Sequence, residues 1–210
     1  MRPAPRLGLP LSASKKSTSV EFKPRHLPGV WEIRLSPLRD SRGFFMRTYD
    51  VELFEQAGLH RPWVQENHSR SERRGVLRGL HFQFPPYAET KLVRCVRGAV
   101  LDVFVDLRPE SPTFGCWESV ELSEGNCLMV LIPRGFAHGF CTLTQESEVL
   151  YKVDSPYRRD HEGGLLWCDS QLNIRWPEVE PFLSEKDRKN WTWAQFVEHH
   201  VERMRGLFNP

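Results

Sequence analysis

The sequence predicts an all-β fold of the sandwich or barrel type, and three observations predict it. Residues 30–176 break into short runs of branched and aromatic residues, each of strand length. Turn signals divide the runs: Arg42-Gly43, Arg97-Gly98, Glu124-Gly125-Asn126 and Pro133-Arg134-Gly135. Glycine opens positive φ and proline fixes φ, so such groups reverse the chain with little strain. The runs also recur at near-regular spacing, which favours a sandwich or barrel over a doubly wound sheet.

In chain order the expected strands are 30–35, 44–48, 63–68, 76–81, 91–97, 99–107, 116–122, 127–132, 138–143 and 148–153. Residues 50–57 read as a short helix, with Asp50 as N-cap and Gly58 just past its end. Residues 69–74 alternate Ser, Arg and Glu and read as a solvated loop. In 101–106 a period of two puts Asp102, Phe104 and Asp106 on one face and Leu101, Val103 and Val105 on the other. Two readings of that strand stay open: half-exposed with wet carboxylates, or turned so that Asp102 enters a polar barrel mouth. Residues 193–204 read as an amphipathic helix capped at Thr192, packing on the barrel or on a partner subunit. The expected organisation is a basic, disordered extension over 1–20, one β domain over 21–190, and a C-terminal helix and tail over 191–210.

Composition narrows the function. A net charge of +2 over 210 residues is too balanced for a nucleic-acid binder, although a local basic pocket for an anionic ligand fits. The five cysteines are odd in number, widely spaced and free of CxxC, which points to a reducing, cytoplasmic setting. Nothing approaches a membrane-spanning run, and Leu7-Gly8-Leu9-Pro10-Leu11 is too short and broken for a signal-peptide core. There is no P-loop, GxGxxG or GxSxG.

The residues that carry chemistry are spread over several strands. His81 ends the run Arg78-Gly79-Leu80-His81-Phe82-Gln83. A single histidine at a strand end is usually structural. This one has company: Lys91 opens another strand, Tyr151 lies in a third, and His138 follows the turn Pro133-Arg134-Gly135. Such groups can take a proton from carbon, hold an enolate and return a proton. Pro133-x-Gly135-x-x-His138 is like the second half of a cupin metal motif, but the first half needs His-x-His and a nearby Glu. Only His81 is present there, followed by Phe82 and Gln83, so a metal-free site is expected.

Longer motifs then point to a family. Residues 75–83, Lys91-Leu92-Val93-Arg94, Ser111-Pro112-Thr113-Phe114-Gly115, residues 132–140, Tyr151-Lys152, Trp167-Cys168-Asp169 and Leu183-Ser184-Glu185-Lys186-Asp187 resemble the dTDP-4-dehydrorhamnose 3,5-epimerases, in order, from about Phe22 to Asp187. The resemblance implies a cupin-like jelly roll, a homodimer with some ligand contacts from the neighbouring subunit, no cofactor, and a dTDP-4-keto-6-deoxyhexose as substrate. It implies His81 as base, Asp187 as its orienting carboxylate, Tyr151 as acid, and Lys91 and His138 at the enolate oxygen, with Asp102 behind His138. It also implies ligand contacts from Arg42, Phe45, Gln65, Asn67, Arg78, Glu162 and Lys186, with Tyr157 stacked on thymine. One departure stands out. The family reads Arg-Gly-Phe-Phe-x-Glu where this chain reads Arg42-Gly43-Phe44-Phe45-Met46-Arg47. A ligand-contacting carboxylate becomes a cation: either Arg47 takes a phosphate, or the nucleotide base or sugar differs. Three rivals share the residues: a mono-epimerase, a 3,4-ketoisomerase, and a non-catalytic sugar-nucleotide-binding module.

Overall fold

The computed structural model describes residues 20–208. Two antiparallel sheets face each other. One has six strands in the order β1 (Val20–Pro24), β2 (Trp31–Leu35), β10 (Leu128–Ile132), β7 (Lys91–Arg97), β12 (Ser147–Val153) and β5 (Gln65–Ser71). The other has five, in the order β13 (Glu162–Gly164), β6 (Leu77–Gln83), β11 (Phe136–Thr142), β8 (Ala99–Asp106) and β9 (Trp117–Ser123). A separate hairpin pairs β3 (Leu38–Asp40) with β4 (Gly43–Phe45). This is the all-β, cupin-like jelly roll that the sequence pattern and the resemblance imply.

Alternation along each strand builds the core. Val93, Val130 and Val149 of the first sheet meet Val100, Phe104, Phe136 and Phe140 of the second. Their neighbours in sequence face outward, and both outer faces are also covered in part. Leu92, Met129 and Leu131 pack under the helix α1 (Val51–Gln56) through Phe54. Leu80, Phe82, Val103 and Val105 pack under the C-terminal segment through Phe196 and Met204. Strands buried on both faces lose the polar half of the alternation, which is why every residue of β10 and β11 is buried.

The helix caps follow the sequence. The Asp50 carboxylate accepts the backbone N–H groups of Glu52 and Leu53 at 3.1 and 3.3 Å. Thr192 and Gln195 form a reciprocal capping box on α2 (Trp193–His199). The helix expected over 193–204 is shorter than its period suggested. It stops at His200, and Val201–Met204 continues as a 3-10 turn. It packs on the barrel, as expected.

Several boundaries differ. The expected extension over 1–20 lies outside the described residues except for Val20, which opens β1. The strands β1, β3 and β13 carry too few apolar residues to stand out. The strand expected over 44–48 is only the short arm β4. The loop expected over 69–74 is corrected at its start, because β5 runs on to Ser71. Ser69 lines a polar cleft and Ser71 is buried on the same face, so the usual apolar half of the alternation is missing. The half-exposed reading of β8 is also corrected. Asp102 and Asp106 are both 0% exposed. Asp106 is satisfied by Arg108, Ser111 and Thr113 from the following loop, while Asp102 is held by His138 through Oδ2 alone, its Oδ1 having no hydrogen-bond partner among the described residues.

Candidate active site

The site lies between the sheets, and each sheet supplies one wall. On the five-stranded wall His81 and His138 are direct partners across β6 and β11. Two glycines let these strands approach. A Cβ on Gly79 would lie 2.7 Å from the Gly139 Cα, and one on Gly139 would lie 2.7 Å from the Arg78 carbonyl oxygen. Backbone on both sides leaves no room for either side chain. The register shifts at this point, between His138 and Phe140.

Each histidine is backed by a buried carboxylate. His81 Nε2 is 2.5 Å from Asp187 Oδ1, and His138 Nε2 is 2.9 Å from Asp102 Oδ2. An ionised carboxylate only accepts, so each ring donates its Nε2–H to its aspartate. Asp187 heads a 3-10 turn, Asp187–Lys189, and its backbone N–H donates to Ser184 Oγ at 3.1 Å. Burial pushes the Asp187 carboxyl up. The hydrogen bond and charge of His81, with the Ser184 hydroxyl and the Gly79 amide, outweigh burial and hold it below the ordinary carboxylate value.

The six-stranded wall brings Lys91 at the start of β7 and Tyr151 near the end of β12. Both line the same cleft of about 290 Å³ as His81, His138, Arg78 and Asp187. A second lobe of about 520 Å³ shares His81, Lys91 and Tyr151 and adds Gln65, Asn67, Tyr157 and Glu162. Gln65 and Asn67 sit two apart on β5, so they share a face, and Gln65 Nε2 donates to Asn67 Oδ1 at 2.9 Å.

Cations and a ring gather at the outer end. Arg78 is steadied by Ser71 Oγ at 3.4 Å and the Arg70 carbonyl at 3.2 Å. Glu162 accepts the Tyr157 hydroxyl at 2.9 Å and pairs with Lys186 Nζ at 2.5 Å. Burial raises the Glu162 carboxyl, but Lys186, Tyr157 and the charge of His81 outweigh it and hold it low. The same bond, then burial, pushes the Tyr157 phenol up.

Three expected ligand contacts are not brought to this cleft within one chain. Arg42 is at the β3–β4 turn with an 88% exposed side chain, paired to Asp40. Phe45 is 64% exposed on β4. Arg47 pairs with Asp50, the N-cap of α1, at 2.8 Å. Sequence reasoning also missed residues that line the site. Ser69 was assigned to a loop, although it is two residues from Asn67 on one face of β5. Glu89 lies in the second lobe, and its place two residues before Lys91 was the available signal. Gln83 lies there too, two residues beyond His81.

The arrangement offers a carboxylate-backed imidazole on one wall and a phenol and an ammonium on the other. That set suits proton transfer at carbon beside a carbonyl. Among the described residues no three His, Cys, Asp or Glu side chains are grouped to hold a metal ion.

Comparison with known proteins gives the family. The family model described as dTDP-4-dehydrorhamnose 3,5-epimerase matches residues 24–195. The chain is similar to a dTDP-4-dehydrorhamnose 3,5-epimerase of Shigella flexneri, 53% identical over 77% of this chain and 89% of that one. Among solved structures it is similar to the dTDP-4-dehydrorhamnose 3,5-epimerase of Bacillus anthracis with TDP and pyrophosphate bound, at 42% identity and a TM-score of 0.81, covering 83% of this chain and 99% of that one. It is similar also to the dTDP-6-deoxy-D-glucose-3,5-epimerase of Legionella pneumophila in complex with dTDP-4-keto-L-rhamnose, at 34% identity and a TM-score of 0.84, covering 91% and 100%. On its sequence and its fold alike, this chain belongs to the dTDP-4-dehydrorhamnose 3,5-epimerase family.

Proposed function

We propose that the protein inverts C3 and C5 of a dTDP-4-keto-6-deoxyhexose, converting dTDP-4-dehydro-6-deoxyglucose to dTDP-4-dehydrorhamnose without a cofactor. The observation that carries this reading is the His81–Asp187 pair facing Tyr151 and Lys91 across one cleft. The C4 carbonyl acidifies the hydrogens on both neighbouring carbons. His81 takes one of them through Nδ1, and the carboxylate of Asp187 stabilises the imidazolium that forms. The electron pair moves onto O4, where the Lys91 ammonium meets it, with His138 and Asp102 beside. Tyr151, on the opposite wall, delivers a proton to the other face of the carbon, so the centre inverts.

Arg78 and Lys186 suit the diphosphate, since Arg bonds two oxygens at once. Tyr157 supplies a ring for the thymine, and Gln65, Asn67 and Glu162 supply polar contacts. Arg42, Phe45 and Arg47 reach the nucleotide end of a neighbouring subunit in a homodimer, which accounts for their exposure within one chain. Residues 21–190 then act as one catalytic domain, supported by 191–210. Five free cysteines fit a cytoplasmic enzyme. No helix among the described residues is long and apolar enough to cross a membrane.

The test is incubation with dTDP-4-dehydro-6-deoxyglucose in D2O, with C3 and C5 followed by NMR. Deuterium at both carbons with inverted products is expected. Deuterium at one carbon makes the protein a mono-epimerase, and a carbonyl moved to C3 makes it a ketoisomerase. Tight binding with no exchange leaves a binding module.

A further inference from the structure

Placing the Lys91 ammonium at the enolate oxygen raises the question of what aims it. The Lys91 side chain is 9% exposed, so its ammonium is nearly stripped of water. Buried charges are paired in folded proteins because an unpaired one is costly. Glu89 supplies the partner, with Oε1 3.3 Å from Lys91 Nζ and a side chain 13% exposed. The other oxygen, Oε2, accepts Gln83 Nε2 at 2.8 Å. Gln83 is itself held at both ends. Its Nε2 also faces the carbonyl oxygens of Tyr87 and Pro156, at 3.0 and 3.3 Å, and its Oε1 accepts the Arg158 N–H at 2.6 Å. An amide bound on both sides has one orientation, so its donor end stays on Glu89. The chain of contacts therefore runs from β6, two residues beyond His81, through Gln83 and Glu89 to the ammonium on the opposite wall.

We propose that Glu89 is a positioning residue for Lys91: its carboxylate, aimed by Gln83, holds the ammonium where negative charge develops on the substrate carbonyl oxygen. The proposal rests on the epimerase reading of this site. Glu89 acts through Lys91 and touches no reacting atom. A donor fixed beforehand needs no rearrangement when the enolate forms, which is where such groups gain their effect. The contacts on Pro156 and Arg158 bracket Tyr157, so the same amide ties the placement of Lys91 to the loop that carries the nucleobase ring.

Glu89→Gln keeps the shape and removes the charge. The expected result is a roughly 10- to 100-fold fall in kcat for exchange at C3 and C5, with KM and dTDP affinity unchanged within about threefold. Glu89→Asp should recover part of the loss. In a Lys91→Ala background, adding Glu89→Gln should cost less than about twofold, because its effect runs through the missing lysine. Exchange at the wild-type rate in Glu89→Gln would overturn the proposal. So would equal losses with and without Lys91, or a fall in dTDP affinity as large as the fall in exchange. A wild-type protein that exchanges neither carbon would overturn the epimerase reading itself, and the proposal with it.

Discussion

At the residue scale the site is two copies of one device, an imidazole aimed by a buried carboxylate, and the copies differ in access. The His81 side chain is 31% exposed and that of His138 is 7% exposed. The more open ring suits contact with a carbon acid, and the closed one is held in place beside it. His81→Ala should therefore cut deuterium exchange at both carbons by roughly 10²- to 10⁴-fold. Titration calorimetry with dTDP should show affinity within about threefold of wild type, since the diphosphate and base are held elsewhere. Retention of most of the exchange would move the base to another residue. Tyr151→Phe removes only the donor on the far wall. Proton removal should continue, so deuterium should still wash in with retained configuration, while inversion falls by roughly 10²-fold. Equal losses of exchange and inversion would place Tyr151 in the first step as well.

At the element scale the strands fix geometry and the loops satisfy what the strands bury. Asp106 ends β8 wholly buried and takes hydrogen bonds from Arg108 Nε and Nη2, Ser111 and Thr113 at 2.6 to 2.8 Å. Burial raises this carboxyl, but these donors outweigh burial and hold it below its ordinary 3.8. A depressed carboxyl contributes stability above its unfolded value, and that contribution disappears as pH falls through its folded value. Asp106→Asn should therefore lose about 3 kcal/mol in urea unfolding at pH 7. The gap to wild type should narrow only below about pH 3.8. A gap that stays constant into that range would mean the charge of Asp106 is not what stabilises the loop. Gly139→Ala addresses the β6–β11 approach, where the added carbon meets a carbonyl at 2.7 Å. The strands must separate, so stability should fall by about 2 kcal/mol, and exchange should fall further than unfolding explains because His81 and His138 are register partners there. The sequence made much of this legible, and for a physical reason. Strands β7, β8 and β10 are apolar and bounded by glycine turns, so their limits fell within a residue or so of those expected. His81, Lys91, His138 and Tyr151 sit in or beside such runs, and their joint presence was the signal that grouped them. Asp187 lies 106 positions from His81, and only its motif pointed to it, because no periodicity links a strand to a distant turn. The polar end of β5 was the blind spot: residues 69–71 carry none of the apolar signal on which reading by alternation depends.

At the scale of the whole molecule, the unresolved tension is the β3–β4 hairpin. It exposes Phe44 at 58% and Phe45 at 64%, consecutive residues of its three-residue strand β4. Two neighbouring exposed phenylalanines on so small an element mark a surface that meets something else. Arg42 stands at the tip and, among the described residues, bonds Asp40 within the hairpin. These residues belong to the proposed nucleotide site, yet they line neither lobe of the cleft in their own chain. A homodimer in which each hairpin completes the other subunit's site resolves this, and it predicts complementation. One variant, His81→Ala, has a dead cleft and a sound hairpin. The other, with Arg42→Ala and Phe45→Ala together, has a sound cleft and a dead hairpin. Each alone should show little exchange. Co-expressed with different tags, the two chains form mixed dimers in which one site joins the sound cleft to the sound hairpin and the other joins both defects. Random pairing makes about half the dimers mixed, each with one working site of two, so activity should return to about a quarter of wild type. Purified mixed dimers should reach about half. If each hairpin served its own chain, no mixture could exceed the sum of the two inactive parents, and that result would assign Arg42 and Phe45 a role within the subunit or none in the site.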